Sequence, residues 1–197
     1  MYTLSHIHAE IPLHEYICNY RDVEKFIVYC KECNRYNRCW ACPPFDFDQE
    51  KYISGYEKLY LIGTKIVLNE QVIKENQGNE LATKTTYQII EKVRANLDEK
   101  LLELEKIFPK SKAFFGGTCH ICPAEKCTRI KGKPCIAPDK VRPSLEAFGF
   151  DITKTATELL RLEILWSHNG VLPKYFVLVS GFFTNKEIPN FLSLIKF

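Results

Sequence analysis

The chain has 197 residues, a formal charge of +3, 46% hydrophobic residues and 26% charged ones. That length suits one sizeable core, and the balance excludes a disordered or collagen-like chain. No apolar run approaches the roughly 20 residues that a bilayer-crossing helix needs.

The first expected element is a strand over Tyr2 to Ile11, which mixes Leu4, Ile7 and Ile11 with polar residues and ends at Pro12. Met1 to Glu10 has neither a basic start nor a greasy centre, so it is not read as a signal peptide. His6 and His8 lie two apart and share a strand face, either as a metal pair or as ordinary strand residues. From Asp22, an N-cap residue type, Val23, Phe26, Ile27 and Cys30 recur at helical spacing and carry Cys30 and Cys33 on one side. Asn34 to Pro44 is read as a loop whose two prolines stiffen the exit. A short helix over Asp48 to Tyr56 and a central strand over Leu59 to Leu68 follow.

Asn79 to Phe108 is the clearest element. Ile89, Val93, Leu97, Leu101, Leu104 and Phe108 recur every three or four residues until Pro109, which predicts a long amphipathic helix laid on a sheet. Ala113 to Phe115 reads as a brief strand, Ser144 to Phe148 as a helical turn and Ile152 to Leu162 as a helix. Tyr175 to Phe183 reads as a buried strand pairing with Leu59–Leu68 or Ala113–Phe115, and Ile188 to Phe197 as a short packed helix. No linker or repeat divides the chain. The expectation is a single α+β domain over 1–197: a mixed or antiparallel sheet, the long helix on one face, and cysteine-rich metal loops at one end.

Eight of the nine cysteines fall into two sets, Cys30-x2-Cys33-x5-Cys39-x2-Cys42 and Cys119-x2-Cys122-x4-Cys127-x7-Cys135. Four thiolates on short loops are what a soft metal or an iron–sulfur cluster requires. With no export signal, a reducing compartment favours metal ligands over disulfides. A zinc ribbon spaces its two knuckles roughly 15–20 residues apart. Here five residues separate Cys33 from Cys39, so one compact loop must wrap its centre. Cubane clusters take closely spaced cysteines, often beside proline, as in Cys42-Pro43, Cys122-Pro123 and Pro134-Cys135. Zinc remains compatible with the same spacing. Each four-thiolate centre carries a net charge of about −2, which removes the basic surplus and with it the case for a nucleic-acid partner.

Around these sets stand residues with two readings each. Gly116 and Gly117 let the backbone approach closely and aim N–H groups at cluster sulfur, or simply turn a strand into a loop. Lys126, Arg129, Lys131, Lys133 and Arg142 balance a negative centre or dock an acidic partner, or form a solvated basic loop. Trp40, Phe45 and Phe47 shield a cluster or anchor the loop. His120 is a possible substitute ligand. Cys18 is expected as a free buried thiol or a spare ligand. No phosphate loop, HExxH or GxSxG motif is present.

Several blocks resemble a family of uncharacterised prokaryotic proteins, many from anaerobes, described as predicted metal-binding proteins of unknown function. They are Cys30-x2-Cys33, Cys39-x2-Cys42-Pro43-Pro44, Gly116-Gly117-x-Cys119-x2-Cys122, Cys135, and Arg142-Pro143-Ser144-Leu145-Glu146-Ala147-x-Gly149-x-Asp151-Ile152. The resemblance runs from about Cys30 to Val179. Tyr36-Asn37-Arg38 stands where the family has a tyrosine–glycine-type loop. The resemblance implies metal or iron–sulfur binding with the matching cysteines as ligands, and sets Arg142 either near the charge of the second centre or in a structural corner.

The expected function is a cytoplasmic protein with two cysteine-ligated [4Fe–4S] clusters, acting in electron transfer or as redox partner of a larger enzyme. The alternative is a structural protein with two Zn²⁺ sites for partner interaction. A third reading is an enzyme whose centre keeps an open coordination position. Neither a membrane nor a specific nucleic acid is expected as partner.

Overall fold

The structure, a computed structural model, describes residues 2–196. Met1 and Phe197, the ends of the expected N-terminal segment and closing helix, lie outside the described residues. Strands β1 (Tyr2–Pro12), β2 (Lys58–Leu68), β3 (Lys112–Phe114) and β4 (Tyr175–Thr184) form an antiparallel sheet in the order β1-β2-β4-β3. Tyr175–Thr184 therefore pairs with both strands that the sequence offered as partners, and β2 and β4 are central. Leu61 stands opposite Ala9 on one side and Gly181 on the other. The fold is α+β, with the sheet antiparallel throughout the described residues.

The two central strands bury both faces, which is why they read as nearly continuous apolar runs. Even-numbered Tyr60, Ile62, Ile66 and Leu68 face one core, together with Phe176, Leu178 and Phe182 of β4. Odd-numbered Leu59 and Leu61, with Val179 and Phe183, face the other. The long helix α5 (Asn79–Ile107) covers the even face through Ile89, Val93, Leu97, Leu101 and Leu104. Full burial of each such side chain contributes about 1.5–3 kcal/mol.

The odd face is covered by α1 (Leu13–Tyr20), α3 (Gln49–Ile53), and a corner at residues 144–160. Helix α1 has no counterpart in the sequence reading, although Leu13, Tyr16 and Tyr20 at i, i+3 and i+7 form its buried face. Short α4 (Glu70–Glu75) was also not expected; it has no buried residue and so little apolar signal. The expected helix over Ile152–Leu162 is shorter and wider. A turn of α-helix, α6 (Ile152–Lys154), opens into a π turn over Thr155–Leu159, where the Leu160 N–H reaches back to the Thr155 carbonyl at 3.3 Å. Buried Thr155 accounts for the widening: its hydroxyl donates to the Asp151 carbonyl at 2.6 Å and meets the Tyr16 hydroxyl at 2.8 Å. The closing helix α7 spans only Phe191–Leu194.

Helix α2 (Val23–Glu32) begins as expected, with the Asp22 carboxylate accepting from the Lys25 N–H at 2.9 Å. Its apolar face is not sunk into the core, and no residue of the helix is buried. It rests instead on the corner: the Asp22 N–H donates to the Gly149 carbonyl at 2.8 Å, and a Cβ on Gly149 would lie 2.8 Å from Val23 Cα. Gly149 also takes φ +82°, so glycine is required there twice over. No helix among the described residues is long and apolar enough to cross a membrane.

Candidate metal centre

The first cysteine set grows from the end of α2. Cys30 lies in its last turn, and Cys33 caps it by donating its N–H to the Cys30 carbonyl at 3.0 Å. The chain then folds back, with the Asn37 N–H bound to the Pro43 carbonyl at 2.8 Å and the Cys42 N–H to the Cys39 carbonyl at 3.0 Å. Phe45 and Phe47 pack against Phe148, at ring-centroid distances of 5.2 and 6.2 Å, and so anchor the loop to the core.

The second set leaves β3 through Gly116 and Gly117. A Cβ on Gly116 would press on Ser180 Oγ at 3.2 Å, and Gly117 takes φ +87°. Thr118 then enters the first set: its hydroxyl meets Cys42 Sγ at 3.0 Å and lies 3.8 Å from Cys39 Sγ. Arg129 completes the join. Its Nη1 donates to the carbonyls of Cys39 at 2.8 Å and Cys42 at 2.7 Å, its Nη2 bonds the Pro44 carbonyl, and its guanidinium lies 5.2 Å from the Trp40 ring. Trp40 in turn donates to the Lys133 carbonyl at 3.2 Å. The two loops form one body held by charge-assisted bonds.

Helix α5 holds this body through residues that sequence reasoning missed. His120 Nε2 lies 2.7 Å from Asp98 Oδ2 and its Nδ1 3.5 Å from Glu91 Oε2, so both ring nitrogens face carboxylates of α5. Burial raises the pKa of Asp98, and the His120 bond opposes that shift. Arg94 pairs with Glu91 at 2.7 Å and reaches the Thr118 carbonyl. Arg142 is buried and pairs with Glu105 through two bonds of 2.7 and 2.5 Å. A signal for this was present in the sequence: Glu91, Asp98 and Glu105 recur every seven residues beside the apolar stripe.

Cys119 of the second set packs against Cys39, Ala41 and Cys42 of the first. Interaction with Cys119 and then with Cys42 holds the Cys39 thiol well below the usual range. Interaction with Cys39 and burial push Cys42 and Cys119 up. Burial raises Cys30, and Cys33 adds to it; burial likewise raises Cys122, with Cys127 and Cys135 close enough to contribute. The Ala137 backbone N–H, two residues on, reaches Cys135 Sγ at 3.4 Å. Such bonds stabilise thiolate charge.

Cys39, Cys42 and Cys127 are buried, Cys30, Cys119, Cys122 and Cys135 half-buried, and Cys33 exposed; all are free thiols. Cys18 sits exposed on α1, which corrects the expectation of a buried thiol: it falls between Tyr16 and Tyr20 on the outward side of the helix. Among the described residues, no three His, Cys, Asp or Glu side chains are arranged to hold one metal ion. The two sets meet through Cys39, Cys42 and Cys119 without closing a coordination shell. The donor set nonetheless fits a soft metal, since the thiols of both sets lie on loops that Thr118 and Arg129 join.

An α+β frame presenting a double cysteine loop defines a candidate thiolate-ligated metal protein. Residues 18–179 match the family described as Predicted metal-binding protein (DUF2284), and the chain belongs to that family. No curated protein and no solved structure matches it.

Proposed function

We propose that the chain carries two cysteine-ligated centres, Cys30/Cys33/Cys39/Cys42 and Cys119/Cys122/Cys127/Cys135, that both are [4Fe–4S] clusters, and that it acts in cytoplasmic electron transfer or as redox partner of a larger enzyme. The observation that carries this reading is the joining of the two cysteine loops: Thr118, beside Cys119, meets Cys42 Sγ at 3.0 Å, and Cys119 packs against Cys39 and Cys42. The packing of Cys119 against Cys39 and Cys42 supports a side-by-side arrangement of the centres, suited to passing an electron between them. A bound cluster of this kind supplies one-electron redox chemistry. The chain's own part is to gather thiolates, exclude water with Trp40 and Phe45, and hold the loops with Arg129.

A second reading is two structural Zn²⁺ sites, favoured by the Arg129 clamp, which fixes loop shape as a structural site does. Anaerobic purification followed by iron, sulfide and zinc analysis separates the two. The proposal expects a brown protein with about eight irons per chain and a visible band that bleaches on reduction. Cys39→Ser should lower the iron content, while Cys18→Ser leaves the spectrum unchanged. A colourless protein holding stoichiometric zinc overturns it.

A further inference from the structure

A cavity of about 600 Å³ lies between α2 and the corner. Its size falls within the roughly 300–1,000 Å³ of small-molecule sites. Helix α2 and its C-cap border it with Phe26, Tyr29, Cys30 and Cys33. These stand at i, i+3, i+4 and i+7, so one side of the helix carries two rings and two thiols of the first set in a single row. The segment after the π turn adds Trp166 to the wall. Tyr29 is 61% and Trp166 78% exposed, a large display of ring surface for two residues bordering one hollow. This also explains why α2 keeps its apolar face out of the core: that face looks into the cavity.

The charged groups in the wall do not select an ion. Lys25 has its ammonium 4.0 Å from Asp151, so one cation meets one carboxylate. Glu146 also borders the cavity, but burial raises its pKa toward the neutral form. What remains is ring surface. Flat rings favour a flat partner, because offset stacking adds to the apolar area that any ligand would bury. The row on α2 then fixes what stands at the end of such a ligand: a molecule resting on Phe26 and Tyr29 lies one helical turn from Cys30 and Cys33.

We propose that this cavity binds a flat, uncharged, conjugated ring compound of the quinone or flavin class, stacked on Tyr29 and Trp166 with its edge toward Cys30 and Cys33. The choice of an electron-accepting ring rests on the electron-transfer reading, since the first candidate centre stands beside it. The binding itself holds whichever metal the cysteines take, because the rings are not among the proposed ligands.

Anaerobic calorimetric titration of the full chain tests it, with metal content measured on the same samples. The probes are riboflavin, dimethylnaphthoquinone, whose quinone ring has no carbon open to thiol addition, and adamantanol, an uncharged but globular and saturated comparison. At least one of the two flat compounds should bind saturably below about 100 μM and at least about tenfold more tightly than adamantanol. The tighter of the two names the ring system. Trp166→Ala, at an exposed position, should weaken that compound about fivefold without touching the fold, and Trp166→Phe should keep most of the affinity. Adamantanol binding as tightly, neither flat compound saturating below about 1 mM, or an unchanged affinity in Trp166→Ala overturns the proposal. Iron-loaded protein that takes neither flat compound refutes this inference alone, and zinc-loaded protein that binds them as expected refutes the cluster assignment alone.

Discussion

The sheet with α5 and the double cysteine loop are stabilised by different physics. In the first, Leu59, Leu61, Ile62, Leu97, Leu101 and Phe182 are essentially removed from water, and a regular hydrogen-bond ladder satisfies the backbone. In the second, residues 119–142 contain only short 3₁₀ turns, over Ala124–Lys126 and Thr128–Lys131. Its shape depends on a few charged straps: Arg129 to three carbonyls, His120 to Asp98, and Arg142 to Glu105. Apolar burial is spread over many residues and needs no ligand. A loop held by a handful of polar contacts concentrates its stability at single side chains, where bound metal would add most.

The sharpest way to break this contrast is Phe182→Ala, in the middle of the even-face core. It should cost about 4 kcal/mol in urea unfolding while leaving metal per folded molecule unchanged. A fall in metal stoichiometry would mean that sheet and loops are one unit. Arg142→Met should cost about 3 kcal/mol by stranding the half-buried Glu105 carboxylate. Adding Glu105→Gln should recover at least about 1 kcal/mol, because the coupling lies in the pair, and a purely additive double variant would count against that.

Arg129→Ala should cost about 2 kcal/mol, and only locally. Hydrogen exchange should speed up across residues 37–44 and 119–135 while β2 and β4 keep their protection. Metal loss to a chelator should accelerate about tenfold. His120→Gln is the mildest change, at about 1 kcal/mol, since one amide replaces two ring contacts to α5. Its effect should appear as faster proteolysis after β3, with the melting temperature nearly unmoved.

The regular elements were legible because their signals are local. The stripe from Ile89 to Leu104 gave α5, and the run from Tyr175 to Phe183 gave β4. Asp22 and Asp48 marked helix starts that the structure confirms, each carboxylate accepting backbone N–H bonds. Helix α1 was missed because Pro12 was taken as the end of a strand rather than also the start of a helix. The π turn was not legible, because Thr155 acts through Tyr16, 139 positions away.

By itself, the sequence determined the α+β class, the central strands, the long helix and the grouping of eight cysteines into two sets. These follow from periodicity and spacing, which are properties of neighbouring residues. Only the tertiary structure decided that Cys119 packs against Cys39 and Cys42, that Arg129 joins one loop to the other, and that Arg142 pairs with Glu105. Each of those contacts joins residues 37 or more positions apart, and a one-dimensional pattern holds no record of which distant groups meet.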